Sequence, residues 1–390
     1  MNGPLALAES VLRGGGGVKW GAVEPDVTPA WVADMDFGVP DAVREAMSVA
    51  VECEQFGYPY HPEGDPLVRA FEDRMRRHHG WAPMAGRTRV FTDLIQVLQV
   101  VIEHTTEPGD GVALHVPTYP PFLASIQRAH RRIVPLGVTD TEDGWELETE
   151  GLAERFAAEG VRLVVLVNPH NPTGRVLDRV ELERIAEAAR LVDVPVLADE
   201  IHADLVHDGR THVPFASLGP DAAARTITAT SATKAFNIAG LRCAVAHVGW
   251  DPLWDALEAA PLDYFGQPST IGRIATVAAW DGGDAWLERV RGVLAVNRAL
   301  VADWAASHEG LLHHRPDATY LSWVGFGATA IGDAPARHVL DRGRVLLSEG
   351  SEFAQHTDVS TGSFARINFA TGTERVARIL NGIDAALAGR

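Results

Sequence analysis

The chain contains two lysines, Lys19 and Lys234, among 34 basic residues, the rest being arginine. Arginine serves for surface charge and solubility, but its pKa is too high for a nucleophile or base, whereas a lysine amine can be tuned down. Lys234 ends the run Thr230-Ser231-Ala232-Thr233-Lys234, and two earlier runs carry complementary groups. Asn168-Pro169-His170-Asn171-Pro172-Thr173-Gly174 offers an amide, and Asp199-Glu200-Ile201-His202 offers a carboxylate. Singly, these are a rigid turn, a helix N-cap and a solvated lysine, with Ser231 and Thr233 as further caps. Together, in this order, they form the set that carbanion stabilisation by pyridoxal 5'-phosphate (PLP) needs. The amine holds the cofactor as a Schiff base, and the carboxylate keeps the pyridine nitrogen protonated so that the ring acts as an electron sink. The amide can donate to the phenolic oxygen. Hydroxyls, an arginine and N–H groups at a helix start bind the phosphate.

Such groups must be delivered by strand ends, because ligands of open α/β sheets bind beyond the carboxyl ends of the strands. Strands and helices alternate from about residue 89 to 249. Strands are predicted at 88–91, 110–116, 161–168, 195–199, 226–229 and 244–248, and helices at 94–104, 122–130 and 182–191. The continuous apolar run at 161–168 is typical of a strand covered on both faces. The pattern predicts an α/β domain with a mostly parallel sheet, and it puts the three runs at successive strand ends. Residues 1–40 read as an arm, with glycines at 14–17 and Pro25, Pro29 and Pro40; arms of this length are often tied to a partner subunit. Asp41 reads as the N-cap of a helix carrying Val43, Ala46, Met47 and Ala50 at helical spacing. A turn at 57–60 and an amphipathic helix at 66–79 follow. Helices dominate after Trp254. Strands at 320–325, 345–347 and 365–369, closed by a helix from Glu374, predict a second, α+β unit.

Composition narrows the function. At 390 residues the chain holds one large or two medium domains. A net charge of −18 argues against nucleic acid or an anionic membrane as the main partner. Cys53 and Cys243 are the only cysteines, so neither a disulfide scaffold nor a zinc site is indicated, and a cytoplasmic location is expected. Residues 1–10 show no basic start before an apolar core, so no signal peptide is expected. The longest strongly apolar run, near 163–167, is far short of the roughly 20 residues a membrane helix needs. There is no HExxH, and no metal site is expected.

The motifs Asn171-Pro172-Thr173-Gly174, Asp199-Glu200-Ile201-His202 and Ser231-x-x-Lys234, with Arg242 eight residues on, resemble the fold-type-I PLP enzymes of the class I/II aminotransferase superfamily. Flanking segments resemble its cystathionine β-lyase-like C–S lyase branch: Val18-Lys19-Trp20, Trp31-Val32-Ala33-Asp34-Met35-Asp36-Phe37, Phe56-Gly57-Tyr58 and Lys234-Ala235-Phe236-Asn237-Ile238-Ala239-Gly240-Leu241. The resemblance runs from about Lys19 to the final helix. It implies an aspartate aminotransferase-like α/β fold, with a mostly parallel seven-stranded sheet in the large domain and a smaller α+β domain. The implied division is an arm at 1–40 joining the small domain, a PLP-binding domain at 41–285 and a small domain at 286–390.

By position, the resemblance makes Lys234 the Schiff-base lysine and proton shuttle, Asp199 the partner of the pyridinium nitrogen and Asn171 the donor to the phenolic oxygen. It implies that Tyr119 stacks on the ring and that His202 borders the cofactor. Ser231, Thr233 and Arg242 would hold the phosphate, with backbone N–H groups of Leu94 and Ile95. Tyr58 would reach the phosphate of the neighbouring subunit, which implies a homodimer with shared sites. Arg366, in Phe364-Ala365-Arg366-Ile367-Asn368, would clamp the α-carboxylate of an amino-acid substrate, with Asp34 and Tyr58 also on the substrate side. There are departures. Asp93 and Gln96 stand where the family usually has glycine and a following Pro-Ala, and a carboxylate near a phosphate is unfavourable unless it points away as a helix cap. Arg242 is commoner in true aminotransferases than in the best-known C–S lyases. Phe369-Ala370-Thr371-Gly372 lacks the Gly-Cys-Pro ending of several relatives.

The resemblance implies a β-lyase that cleaves cystathionine or another cysteine S-conjugate to thiol, pyruvate and ammonia. An aminotransferase uses the same residues, because the two reactions part only after the α-proton has left. A cofactor-binding regulator of a partner protein is a third possibility, against which the intact catalytic set argues. Lys19 has no role readable from sequence; a dimer contact and a remnant are both open.

Overall fold

The computed structural model describes residues 5–261 and 264–389. The first four residues of the segment read for a leader, and Arg390 at the end of the expected small domain, lie outside them. The arm carries α1 (Glu9–Gly14), α2 (Val18–Gly21) and β1 (Thr28–Pro29), followed by α3 (Asp41–Glu52) and α4 (Pro66–His79). Asp65 caps α4 by accepting from Leu67 N at 2.9 Å, Pro66 opens it, and Gly80 closes it in the left-handed region.

The alternating region supplies β2 (Thr88–Phe91), α5 (Leu94–Thr105), β3 (Gly111–His115), α6 (Pro120–Arg128), β4 (Arg132–Leu136), a hairpin β5 (Val138–Thr141) and β6 (Gly144–Leu147), α7 (Leu152–Ala158), β7 (Val161–Val167), α8 (Arg179–Leu191), β8 (Val196–Asp199), α9 (Pro220–Arg225), β9 (Thr226–Thr230) and β10 (Ala244–Val248). Seven of these strands form one sheet in the order β2-β10-β9-β8-β7-β3-β4. β9, β8, β7, β3 and β4 run parallel, and β10 runs antiparallel to both its neighbours. This is the α/β architecture expected. β7 is buried at six of its seven positions, as its apolar run requires. Separate apolar clusters cover the sheet, one around Val97, Leu163 and Leu197 and one around Ala113, Val164 and Val196.

Helices α10 (Asp251–Ala259), α11 (Thr270–Gly282) and α12 (Asp284–Ala306) lead to a second sheet. It contains β11 (Leu312–His313) and β12 (Leu321–Gly325); after α13 (Pro335–Gly343) come β13 (Val345–Leu346), β14 (Ser348–Glu349), β15 (Phe364–Asn368) and α14 (Thr373–Leu387). The second sheet is antiparallel, in the order β11-β12-β15-β14. β13 pairs instead with β1, so the arm is stitched to this region in parallel register.

Two sequence expectations change. The N-cap of α3 is Pro40, which makes no side-chain cap; Asp41 lies inside the first turn and pairs with Arg44. Pro40 already holds the extended backbone that precedes a helix, and Asp41 serves through its charge at the positive helix end. β4 and the β5–β6 hairpin were not expected. β4 is an edge strand containing Pro135, a residue that speaks against a central strand but is tolerated at an edge.

Candidate active site

β7, β8 and β9 are neighbours in the sheet as well as in sequence, so the loops after them open side by side. Together with the start of α5 and the loop before α6 they line a cleft with about 750 Å³ of empty space, part of it open to solvent. Its lining includes Asn171, Asp199, His202, Ser231, Thr233, Lys234, Tyr119, Arg242, Leu94 and Ile95. Ten of the expected site residues therefore meet in one place.

The loop after β7 is held in shape by Gly174, at φ +72, where a Cβ would lie 2.3 Å from Pro316 Cβ. It directs Asn171 into the cleft. Asn171 Oδ1 accepts from Arg366 Nη1 at 3.0 Å. Because a guanidinium only donates, this fixes the amide so that Nδ2 is left to donate. Arg366, on β15, is buried; its Nη2 donates to Trp31 O at 3.0 Å and to Ser348 Oγ at 3.2 Å. Its guanidinium also lies 4.8 Å from the centre of the Phe353 ring. No carboxylate pairs with it among the described residues, and its Nε has no partner. Burial pushes its pKa down to about 10.

Asp199 closes β8. Burial raises its pKa to about 7, against the lowering effect of Ile201 N–H, which donates to Oδ1 at 3.0 Å. A buried carboxyl under this strain gains from a cation set opposite it. His202 is buried, its pKa pushed down to about 3 by burial and then by the charges of Lys234 and Arg366, and its Nδ1 has no partner. The ring is neutral at physiological pH.

Lys234 follows the turn after β9. Its Nζ donates to Ala33 O at 2.8 Å, so the arm supplies the carbonyl that parks the amine. Burial pushes the amine below its ordinary value; Asp34 and Asp199 pull the other way, and Arg366 and Arg242 reinforce the lowering. The deprotonated form, which a nucleophile or base needs, is thereby favoured. Ser231 Oγ donates to Cys243 O at 2.6 Å and accepts from Thr233 N at 3.1 Å, which shapes the turn between strand and lysine. Tyr119 is half-buried on the lining, and its ring meets Phe122 edge-on at 5.6 Å.

At the far end, the first N–H groups of α5 at Leu94 and Ile95 have no intrahelical acceptor. Asp93 caps this helix as expected, accepting from Gln96 N at 3.0 Å, while its other oxygen pairs with Arg242. The carboxylate therefore does not point away. Arg242 is exposed and sits in the left-handed region at φ 50, a conformation a non-glycine residue adopts at a cost.

Tyr58 is fully exposed and Asp34 is half-buried; neither lines the cleft within one chain. Three supporting residues were not read from sequence. Tyr320 OH donates to Ala33 O at 2.9 Å. Asn237 Nδ2 donates to Phe37 O at 2.7 Å, and Asn368 Nδ2 donates to Asp34 O at 2.7 Å. All three pin the arm segment 33–37 over Lys234. Asn237 was quoted within a motif; its left-handed φ of 56 is visible only in three dimensions.

The donor set fits PLP on this structure's own terms: a buried carboxyl short of a cation and an amine whose pKa burial lowers face one cleft, and a buried guanidinium short of a carboxylate stands behind Asn171, off the lining itself. No group of His, Cys, Asp or Glu among the described residues could hold a metal, and no described helix is long and apolar enough to cross a membrane.

Residues 34–382 match the family described as aminotransferase class I and II. A cystathionine beta-lyase of Corynebacterium glutamicum is 33% identical over 376 residues, covering 95% of this chain and 96% of that protein. A PLP-dependent beta-cystathionase structure from Corynebacterium diphtheriae superposes with a TM-score of 0.90 at 29% identity, covering 99% of both chains. The PLP-bound C–S lyase of Staphylococcus hominis gives 0.89 at 26% identity, covering 96% of this chain and 97% of that one.

Proposed function

The chain belongs to the class I and II aminotransferase family, and on that premise we propose that it is a carbon–sulfur β-lyase cleaving cystathionine or another cysteine S-conjugate to thiol, pyruvate and ammonia. It is an enzyme, and its cofactor is pyridoxal 5'-phosphate. The convergence of Asn171, Asp199 and Lys234 on one cleft, with a buried Arg366 behind Asn171, supports the PLP chemistry, and the likeness to a cystathionine beta-lyase over nearly the whole chain favours elimination over transamination.

In this reading Lys234 holds the cofactor through its amine, Asp199 pairs with the pyridine nitrogen, and Asn171 donates through Nδ2 to the phenolic oxygen. Tyr119 stacks on the ring and His202 borders it. Ser231, Thr233, Arg242 and the N–H groups of Leu94 and Ile95 hold the phosphate, with Tyr58 of the partner subunit. The bound cofactor supplies an electron sink for the pair left when the Cα–H bond breaks. Arg366 takes the substrate's α-carboxylate with its fork, which points Cα at Lys234. The amine of Lys234, set free once the substrate's own amine takes its place and biased toward its neutral form by burial, would remove the α-proton. Asp34 stands on the substrate side and offsets the charge that Lys234 then carries. The Cβ–S bond breaks with the sulfur leaving as thiolate, which takes up a proton, and the released three-carbon enamine is hydrolysed by water to pyruvate and ammonia.

The working unit proposed is a cytoplasmic homodimer. Phe56, Tyr58 and Tyr60 on the loop between α3 and α4 expose 62%, 102% and 83% of their surface, a row of aromatics that a second subunit would cover. Each chain is read as three parts, an arm (1–40), a cofactor-binding body (41–285) and a small domain (286–390).

The test offers cystathionine with no keto acid. Many turnovers of pyruvate per subunit support the lyase. A single equivalent of keto product, with turnover only when a keto acid is added, makes it an aminotransferase.

A further inference from the structure

The phosphate end of the cleft carries a charge arrangement that neither cap chemistry nor anion binding requires. Asp93 needs one oxygen to cap α5, and Oδ1 does this. Its second oxygen, Oδ2, accepts from Thr92 Oγ1 at 2.9 Å and pairs with Arg242. The Thr92 side is braced in turn: Gln96 Oε1 accepts from Thr92 N at 2.7 Å and lies 3.0 Å from Thr92 Oγ1, whose single proton Asp93 Oδ2 and Gln96 Oε1 share. The carboxylate is thus held from both sides, and Arg242 reaches it from a fixed left-handed turn.

Arg242 is the one arginine on the cleft lining, and Asp93 lies beside it there. Side-chain charge at this end sums to zero, where a neutral residue at position 93 would leave one positive charge. A phosphate monoester brings about −1.5 to −2 at neutral pH. It meets a guanidinium already engaged and a carboxylate that repels it. Tyr119 feels both Asp93 and Arg242 and Lys234 feels Arg242; these two groups, and the Asp34, Asp199 and Arg366 charges that act on them, are common to any comparison at position 93.

We propose that Asp93 is a resident competitor for the cofactor's phosphate: its carboxylate occupies Arg242 in the cofactor-free protein and lowers affinity for the phosphate group. The inference rests on the PLP reading above. It gives the cofactor-free chain an internally satisfied arginine, and it predicts a cofactor held less tightly than the remaining donors would hold it.

The test is equilibrium titration of the apoenzyme with PLP, followed by cofactor absorbance, for the wild type and for Asp93→Asn. Asparagine keeps the cap acceptor and the side-chain volume and removes only the charge. Asp93→Asn should lower the dissociation constant for PLP by about tenfold, the size of one partly screened charge contact near a surface. Asp93→Ser, a second neutral cap, should shift it the same way. Inorganic phosphate should likewise protect Asp93→Asn against thermal unfolding at lower concentration than it protects the wild type. Pyridoxal, which lacks the phosphate, should bind both proteins equally. An unchanged constant for PLP removes the competitor role. A weaker one means that Asp93 positions Arg242 for the phosphate, and equal tightening of pyridoxal means that the effect lies elsewhere; either overturns the proposal. If neither wild type nor variants bound PLP or pyridoxal, the cofactor reading itself would fall, and this inference with it.

Discussion

Arg366 and Asn171 are 195 positions apart and are joined by a buried hydrogen bond of 3.0 Å from Nη1 to Oδ1. One comes from the small antiparallel sheet and the other from a loop of the large sheet, so the bond ties the proposed carboxylate clamp to the amide proposed to meet the cofactor. Arg366→Lys keeps a charge but loses the fork that reaches Asn171, Trp31 O and Ser348 together. With the substrate carboxylate left in a buried site without its bidentate partner, kcat/KM should fall by about 10²–10³. Steady-state pyruvate release measures this. The decarboxylated analogue, measured by its own consumption, should lose much less. A variant within threefold of wild type on the full amino acid would remove Arg366 from substrate binding.

Lys234 should be irreplaceable by arginine even though the charge is kept. A guanidinium cannot be brought to its neutral form in a protein, so both the covalent and the basic role go. Turnover of Lys234→Arg should drop at least ~10²-fold, the lower end of what a placed base contributes, while far-UV circular dichroism stays unchanged. Retention of turnover together with the visible absorption of lysine-bound cofactor would exclude the assignment.

The meeting of the candidate residues was legible because each stands at a strand end: the sheet places β7, β8 and β9 side by side, and the convergence of Asn171, Asp199 and Lys234 follows from that. What supports them was not legible. Tyr320 and Asn368 from the small-sheet region and Asn237 from the large sheet's side all donate through their side chains to backbone carbonyls of the arm, and no sequence spacing encodes those contacts. Asp41 misled because an acidic residue before an apolar periodicity looks the same at the cap and one position inside it. β4 was hidden by Pro135, whose missing N–H is harmless only because the strand lies at the edge. Asp93 was seen as a cap, and that was half of its contacts; the Arg242 pair spans 149 positions.

Asp199 gives the cofactor-free protein a specific pH dependence. Its folded pKa, about 7, is above the ordinary carboxyl value of 3.8. The folded state therefore binds more protons than the unfolded state between those values, and stability is lost as pH rises through that window. The full penalty is present above pH 7 and absent below about pH 4; three units correspond to about 4 kcal/mol. Asp199→Asn abolishes this component. Urea unfolding of the two apoproteins at pH 5 and pH 8 should show the variant gaining on wild type by a few kcal/mol at the higher pH. A difference that is flat between the two pH values would mean that Asp199 ionises normally.

Lys19 answers the question its rarity raises. It is 4% exposed, its Nζ lies 2.9 Å from Asp36 Oδ1 and it donates to Asp34 O at 3.0 Å. The same Asp36 oxygen accepts from Trp20 Nε1 at 2.8 Å, and Arg375 on α14 approaches Oδ2 at 3.5 Å. A compact ammonium fits between a carboxylate and a carbonyl in this closed space, whereas a planar guanidinium needs more room and a wider spread of acceptors. Lys19→Met strands a buried carboxylate and should cost about 3 kcal/mol, the low end for a broken buried pair because Arg375 and Trp20 remain. Lys19→Arg should fail to restore the wild-type value. Lys19→Met with Asp36→Asn should cost clearly less than the sum of the single variants, since neither then leaves a charge behind. Chemical unfolding of the four proteins measures the coupling. Strict additivity, or a fully stable Lys19→Arg, would mean that the pair is incidental and that lysine survives at this position without a structural reason.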